Sequence, residues 1–449
     1  MKPSLKNRRP TLVFGTTPDY VKRISLNYLH DTFFIIDKKF LGDACLENLD
    51  RQNLLFADFD YSEKCLSEIV WYLSSRNINP AGVGCFDCES LINASRLAAK
   101  LNLFFPSVES ISKARNKFES KEIWKTNNIK CPNALITDSI EQTMKFFKEL
   151  GGDPAVIKPM SASGSELVFY CENEDDVADS VEEISWQLAL RKTGPFYRKL
   201  PGAEEVPSFD PSTHWVVEEY IHGTEFSCDF VLKDDELTVI RLTEKVKDME
   251  QTFGSMLAYC IPATLPVEFS TSELALIFKS AVKSLGFNHG WFMVDFIINE
   301  KGPFIIEVTP RPGGDSIPDL VESATGEDIL GVYLDLISGR IHDINPIQYS
   351  STPLASMNIF APKAGIITEL DCSDFIDLQW IKNIYISKSV NDMIILPPHD
   401  YDSRKIGYFI VESKGPEDLR QKQKILMEKI NLTIADLKVD SYSETEEVV

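Results

Sequence analysis

Long apolar runs are missing from this 449-residue chain. Runs such as Phe33-Phe34-Ile35-Ile36 and Trp291-Phe292-Met293-Val294 stop far short of the ~20 residues a membrane span needs. The basic start, Met1 to Pro10, leads into strand-like Thr11-Leu12-Val13-Phe14 rather than the longer apolar core of a signal sequence. Positive charge is scarce as well. Lys and Arg number 46 against 68 Asp and Glu, a formal net charge of −22. Nucleic acid and anionic membranes repel such a chain, which excludes general binding to either and leaves room for a local basic pocket around a small anion. Nine cysteines, odd in number and scattered, do not make a disulfide framework. Cys85-Phe86-Asp87-Cys88 has no second pair and no nearby ligand histidine, so it reads as structural, and a reducing cytoplasm is the expected location. There is no GxSxG elbow, no visible cysteine–histidine pairing and no internal repeat. His222 and His289 lack a partner at metal spacing and read as turn or packing residues.

The balance that remains, 43% hydrophobic and 25% charged, is that of a soluble globular chain. At ~150 residues per domain the length suggests about three units. Residues 1–106 alternate strand and helix signals. Strands are expected at Leu12–Gly15, Phe33–Asp37 and Ala81–Phe86, with helical faces at Leu66, Ile69, Val70, Leu73 and at Leu91, Ala94, Leu97, Ala98, Leu101. That alternation predicts an open parallel sheet. Gly15-Thr16-Thr17 after the first strand is not a GxGxxG fingerprint, so the sheet need not bind a dinucleotide.

A second region starts at Pro106-Ser107 and is helix-rich from Ser110 to Asn127. Strands follow at Ala155–Lys158 and Leu167–Tyr170, then a helix marked by Val177, Val181, Ile184 and Leu188. The proline-rich stretch Thr193 to Ser212 reads as a surface excursion; Arg191, Lys192, Arg198 and Lys199 in and before it read as solvated. Strands are expected again at Trp215–Glu218, Phe226–Leu232 and Leu237–Thr243. A helix carrying Leu274, Ile277, Phe278 and Val282 leads to the strand pair Trp291–Ile298 and Phe304–Thr309, and Leu320 to Ser338 reads as one helix. Short strands return from Thr352, with a closing helix near Leu426 and Ile430. The acidic end, 440–449, is expected to be disordered.

Two carboxylates stand out. Asp295 and Glu307 lie in consecutive apolar strands joined by Asn299-Glu300-Lys301-Gly302, and a hairpin about that turn pairs 295 near 307. Like charges side by side are costly unless a cation lies between them, and oxygen-only ligands favour magnesium arriving with phosphates. The competing arrangement pairs one carboxylate with Arg311 and exposes the other. Lys158 ends a strand and is followed by Ser161-Ala162-Ser163-Gly164-Ser165, small residues whose N–H groups can approach an anion. Val217-Glu218-Glu219-Tyr220-Ile221, with Gly223 and Glu225, has the form of a connector whose carboxylates can accept from an adenine amine and ribose hydroxyls; a strand with a solvated acidic edge fits the same residues.

In order, Asn116-Lys117, Ile157-Lys158-Pro159, Val217 to Glu225, Val294-Asp295-Phe296 and Glu307-Val308-Thr309-Pro310-Arg311-Pro312-Gly313-Gly314-Asp315 resemble the ATP-grasp carboxylate–amine ligases. The Arg-Pro-Gly-Gly-Asp string is most similar to the branch that joins L-amino acids, as are Thr243-Glu244-Lys245 and Tyr259 to Ala263. The resemblance implies an α/β ATP-grasp fold. It would have an N-terminal open parallel sheet domain at 1–106, an ATP-grasp domain at 107–340 with a lid at about 130–213, and a C-terminal α+β portion at 341–439. It also implies ATP and Mg2+, with Mn2+ as a substitute. Lys117 and Lys158 would hold phosphates under the turn containing Ser163, Gly164 and Ser165. Glu218 would face adenine and Glu225 the ribose, with Tyr220 and Ile221 beside the nucleotide. Asp295 and Glu307 would hold the metal. Thr309 stands where the family usually has a metal-binding Asn. Arg311, with Lys158, would act in catalysis, and Arg311, Gly313, Gly314 and Asp315 would seat the substrate, Asp315 or Ser316 capping the helix from Ile317. The implied activity is ADP-forming amide or peptide bond synthesis from a carboxylate and an amine, at least one of them an amino acid. The implied partners are those small molecules, with no nucleic acid or membrane and a homodimer as the allowed assembly. An ATP-dependent carboxylase, or a nucleotide-binding protein without catalysis, are the alternatives.

Overall fold

The computed structural model describes residues 9–436 except 48, 61, 199–208, 342, 343, 345, 348, 350, 351 and 376. The expectations for the basic start, for Lys199 and for the acidic end at 440–449 lie outside the described residues.

Four strands, β1 (Thr11–Phe14), β2 (Thr32–Asp37), β3 (Leu54–Ala57) and β4 (Gly82–Gly84), form an all-parallel sheet in the order β3-β2-β1-β4. The helices α1 (Pro18–Tyr28), α2 (Glu63–Ser75) and α3 (Leu91–Lys100) lie between and after them. Strand alternation sorts their side chains to two cores. Leu12, Phe14, Phe33 and Ile35 join Leu66, Leu91 and Leu97, whereas Val13, Phe34 and Ile36 join a second cluster with Leu330 and Leu334. With both faces covered, the strands are continuous apolar runs.

Helices α4 (Val108–Arg115) and α5 (Lys117–Thr126) follow. Asn116 ends the first and caps the second, its side chain accepting from the N–H of Phe118 and Glu119. A four-stranded antiparallel sheet comes next, built from β5 (Ala134–Thr137), β6 (Ala155–Pro159), β7 (Phe169–Cys171) and β8 (Trp215–Glu219) in the order β5-β8-β6-β7. Its helices, α6 (Ile140–Glu149) and α7 (Glu174–Arg191), bury Phe147, Val177, Ile184 and Leu188 against Ile157 and Trp215. The strand expected at Leu167 starts only at Phe169. Gly164, Ser165 and Leu167 all have φ between +55° and +65°, which no strand allows, so the turn runs further than its sequence suggests.

The largest sheet has eight antiparallel strands in the order β13-β12-β9-β10-β11-β14-β18-β16. Five of them are β9 (Thr224–Lys233), β10 (Glu236–Lys247), β11 (Met256–Ile261), β12 (Gly290–Asn299) and β13 (Gly302–Thr309), with α8 (Thr271–Ser284) packed under them. Helices α9 (Ile317–Thr325) and α10 (Ile329–Ile337) replace the single helix expected from Leu320 to Ser338. Gly326, at φ +80°, ends the first, and the Asp328 side chain caps the second. The apolar pattern runs through this break and hides it. The chain then forms β14 (Leu354–Phe360), β15 (Gly365–Asp371), β16 (Ile381–Ile386), β17 (Met393–Ile394), β18 (Lys405–Glu412), α11 (Pro416–Lys429) and β19 (Asn431–Ala435). β14, β18 and β16 extend the large sheet, while β17-β15-β19 make a small one. No helix among the described residues is long and apolar enough to cross a membrane.

Candidate active site

One face of the large sheet is apolar. Phe226, Phe230, Phe292, Val294 and Phe296 pack there with Leu274 and Phe278 of α8. Strand alternation therefore turns the intervening residues to the other face, where charge collects. Asp295 on β12 pairs directly with Glu307 on β13, as the hairpin predicted. The register slips just beyond this pair, so Phe296 faces Ile305 and Ile306 is the extra residue of a β-bulge. The carbonyl of Ile306 accepts from Lys121 Nζ at 3.1 Å.

Arg311 takes no part in neutralising the two carboxylates. Asp295 Oδ2 lies 3.3 Å from Lys245 Nζ, and Glu307 Oε2 lies 3.3 Å from Lys117 Nζ. Lys245 also holds Glu225 Oε1 at 2.6 Å, and Lys247 stands 3.6 Å from the other oxygen of Glu225. Burial pushes the Asp295 carboxyl up, aided by Glu225 and Glu307, and Lys245 only partly offsets this. Burial acts the same way on Glu307, but Lys117 and Lys158 outweigh it and hold that carboxyl below its usual range.

Glu218 lies in an ion-pair network. It is 2% exposed, with Oε1 2.8 Å from Lys121 Nζ and Oε2 2.7 Å from Lys158 Nζ. It is the buried counterion of two lysines. Register explains the placement, since Glu218 sits on β8 between Ala134 of β5 and Val156 of β6. Burial lowers Lys158 to about 8 even with Glu218 beside it, and Lys121 and Lys117 push the same way. Lys117 N–H donates to the Met160 carbonyl and its Nζ to the Ala162 carbonyl, tying the start of α5 to the turn after β6. In that turn Ser163 and Gly164 are exposed, and Ser165 Oγ donates to the Gly254 carbonyl at 3.1 Å. The turn is thereby held to the loop between β10 and β11. Tyr220 stacks edge-on with Tyr170 at 4.9 Å, Phe253 from that loop lies 5.2 Å from Tyr170, and Ile221 is buried beside them.

The glycine-rich string divides. Gly313 N–H donates to both oxygens of Asp229, which is fully buried and paired with Arg241 at 3.2 Å. Gly313 therefore meets a buried ion pair, not open space. Arg311 Nε and Nη2 lie 3.2 and 3.0 Å from Cys88 Sγ, and Nη1 donates to the Pro312 carbonyl. Gly314 is half-buried beside Arg311, and exposed Asp315 pairs with Lys405. Ser316 occupies the cap position of α9 but makes no capping bond, because its backbone is already helical and its buried hydroxyl has no partner. Thr309 is 5% exposed and lines a small cavity together with Glu307, Ser161 and Arg115.

Sequence reasoning missed Lys121, Lys245 as a partner of Asp295, Cys88 and the Asp229–Arg241 pair. Lys121 had a signal, since it stands one helical turn after Lys117 on the same face. No group of three or more His, Cys, Asp or Glu gathers among the described residues. The Asp295–Glu307 pair nonetheless fits magnesium, which takes one or two carboxylates and completes its shell with phosphates and water.

Residues 152–319 match the ATP-grasp domain family. The uncharacterized protein y4rH of Sinorhizobium fredii is 23% identical over 299 residues, 67% of this chain and 57% of that protein. A D-alanine–D-alanine ligase of Acidovorax ebreus is 26% identical over 231 residues, 49% of this chain and 61% of the ligase. The chain thus spans about six-tenths of the length of these curated relatives. The crystal structure of an L-amino acid ligase from Bacillus licheniformis shares the fold, with a TM-score of 0.71 at 16% identity over 96% of this chain and 99% of its own. That fold runs along nearly the whole length of the chain, and the ATP-grasp domain family is matched at 152–319.

Proposed function

We propose that this protein is an ADP-forming carboxylate–amine ligase. ATP phosphorylates a substrate carboxylate to an acyl phosphate, and an amine displaces the phosphate to give an amide or peptide bond. The observation that carries the reading is the cross-strand pair Asp295–Glu307, bracketed by Lys117 and Lys245 with Lys158 nearby. Asp295 and Glu307 would hold magnesium, with Thr309 beside Glu307; the ion, when bound, neutralises phosphate charge. Lys117 and Lys158 hold the phosphates, under the turn from Ser161 to Ser165. Glu225 serves the ribose, and Tyr220 and Ile221 flank the nucleotide. Arg311 and the N-terminus of α9 seat the carboxylate, because N–H groups and a guanidinium both favour an anion. The sheet of β5 to β8 acts as a lid that excludes water from the acyl phosphate. An amino acid is the proposed substrate class, supported by the names of the D-alanine–D-alanine ligase and the L-amino acid ligase among the similar proteins.

Thr309 favours a second reading, a nucleotide-binding protein without turnover, because a threonine hydroxyl is a shorter and weaker metal ligand than an asparagine carbonyl. A screen of amino-acid pairs for ATP-dependent phosphate release separates the two. Release that requires a particular pair supports the ligase. ATP binding with no release from any pair supports the binding protein, and release that requires bicarbonate makes it a carboxylase.

A further inference from the structure

Each lysine named around the site is paired with an acid. Lys117 has Glu307, Lys121 and Lys158 share Glu218, and Lys245 has Glu225 and Asp295. Arg115 differs. It is the last residue of α4 and is 8% exposed, yet among the described residues no carboxylate pairs with it. Its Nε and Nη1 are buried without a hydrogen-bond partner, and Nη2 makes only a long 3.4 Å bond to Ser161 Oγ. The guanidinium carbon lies 5.2 Å from the ring centroid of Phe196. Arg115, Ser161, Phe196, Glu307, Thr309 and Cys88 line one small cavity.

A buried guanidinium without an anion is strongly unfavourable. The chain has 68 acidic residues and a net charge of −22, so acids to pair with are plentiful. The C-terminal dipole of α4 and the face of Phe196 account for part of the charge. Neither accepts a hydrogen bond from Nε and Nη1, and each unmet donor costs as much as its lost hydration. A planar fork with two free donors, beside the first serine of the phosphate turn and the residues proposed to hold metal, suits a phosphoryl group.

We infer that Arg115 is a phosphate-binding residue of this site, its free N–H groups taking oxygens of the terminal phosphoryl of a nucleoside triphosphate. The inference rests on the ligase reading and deepens it. Glu307 and Thr309 in the same cavity set the terminal phosphoryl apart from the inner phosphates, since the metal side is where transfer occurs. Phe196 belongs to the stretch between α7 and β8, so the arginine also links phosphate binding to the lid.

The test compares ATP and ADP binding, each with magnesium, by calorimetry on the full chain and needs no turnover. Arg115→Met should lose ATP affinity by about 10- to 100-fold, the range for a hydrogen bond to a charged group, and leave ADP affinity unchanged. Arg115→Lys keeps the charge and lacks the fork; it should show a smaller loss, again confined to ATP, and serves if the methionine variant does not fold. Equal losses for ATP and ADP, or no loss, would overturn the inference while leaving the ligase reading in place. Absence of ATP binding by the unaltered protein would overturn both.

Discussion

Asp295 and Glu307 face each other across β12 and β13, yet each carboxylate leans on a lysine from a different element. Lys245 comes from β10 on one side and Lys117 from α5 on the other. The pair is split electrostatically, with Asp295 pushed up and Glu307 held down, as coupled acids in unequal surroundings must be. A site that already balances two acids with two ammonium groups can take a divalent ion between the acids without leaving a charge stranded.

Glu307→Gln should therefore damage turnover far more than nucleotide binding. A neutral amide holds magnesium poorly, and lost stabilisation of transferring charge is worth about 10²–10³ in rate. Measured kcat should fall by that order while the ATP dissociation constant moves a few-fold. Near-normal turnover at saturating magnesium would place the metal elsewhere.

Lys158 predicts a pH dependence. Its proton is held with a pKa of about 8 in the folded protein, below the usual lysine range, because burial outweighs Glu218. As pH rises through about 8 the ammonium is lost, so ATP affinity should be flat below that point and fall above it. Lys158→Arg, which stays charged, should flatten the profile. A wild-type affinity that does not change between about pH 7 and about pH 9 would remove Lys158 from the phosphate site.

Much of the frame was legible. The 295–307 pairing follows from two apolar strands around a four-residue turn, since strand period and turn length fix register. The parallel sheet followed from short apolar strands alternating with amphipathic helices. The break at Gly326 was hidden because Leu320 to Ile337 keeps its apolar spacing across the gap. The lysine partners of Glu218 were hidden because a motif names a residue without saying which side of β8 it lies on. The Arg311–Cys88 contact joins positions 223 residues apart, and Arg115 is distinguished by partners it lacks; neither property exists in a local window.

Gly313→Ala tests the buried pair behind the glycine string. A Cβ there would lie 2.4 Å from Arg241 Nη2 and 3.2 Å from Asp229 Oδ2. Overpacking of this kind costs about 1–3 kcal/mol, which a urea titration reads as a lowered midpoint with unchanged slope. An unchanged midpoint would mean that the pair yields freely.

Thr309→Asn should lower the magnesium concentration needed for activity. Thr309 stands two residues after Glu307 on the same strand and lines the same cavity, and asparagine reaches further with a carbonyl oxygen. Identical magnesium midpoints for both forms would take Thr309 out of the metal site.

The acyl phosphate is the central claim, and transfer of heavy oxygen from a labelled substrate carboxylate tests it most directly. With an amino-acid pair that supports phosphate release, the account predicts that one labelled oxygen per turnover appears in inorganic phosphate. Turnover that releases only unlabelled phosphate would contradict it.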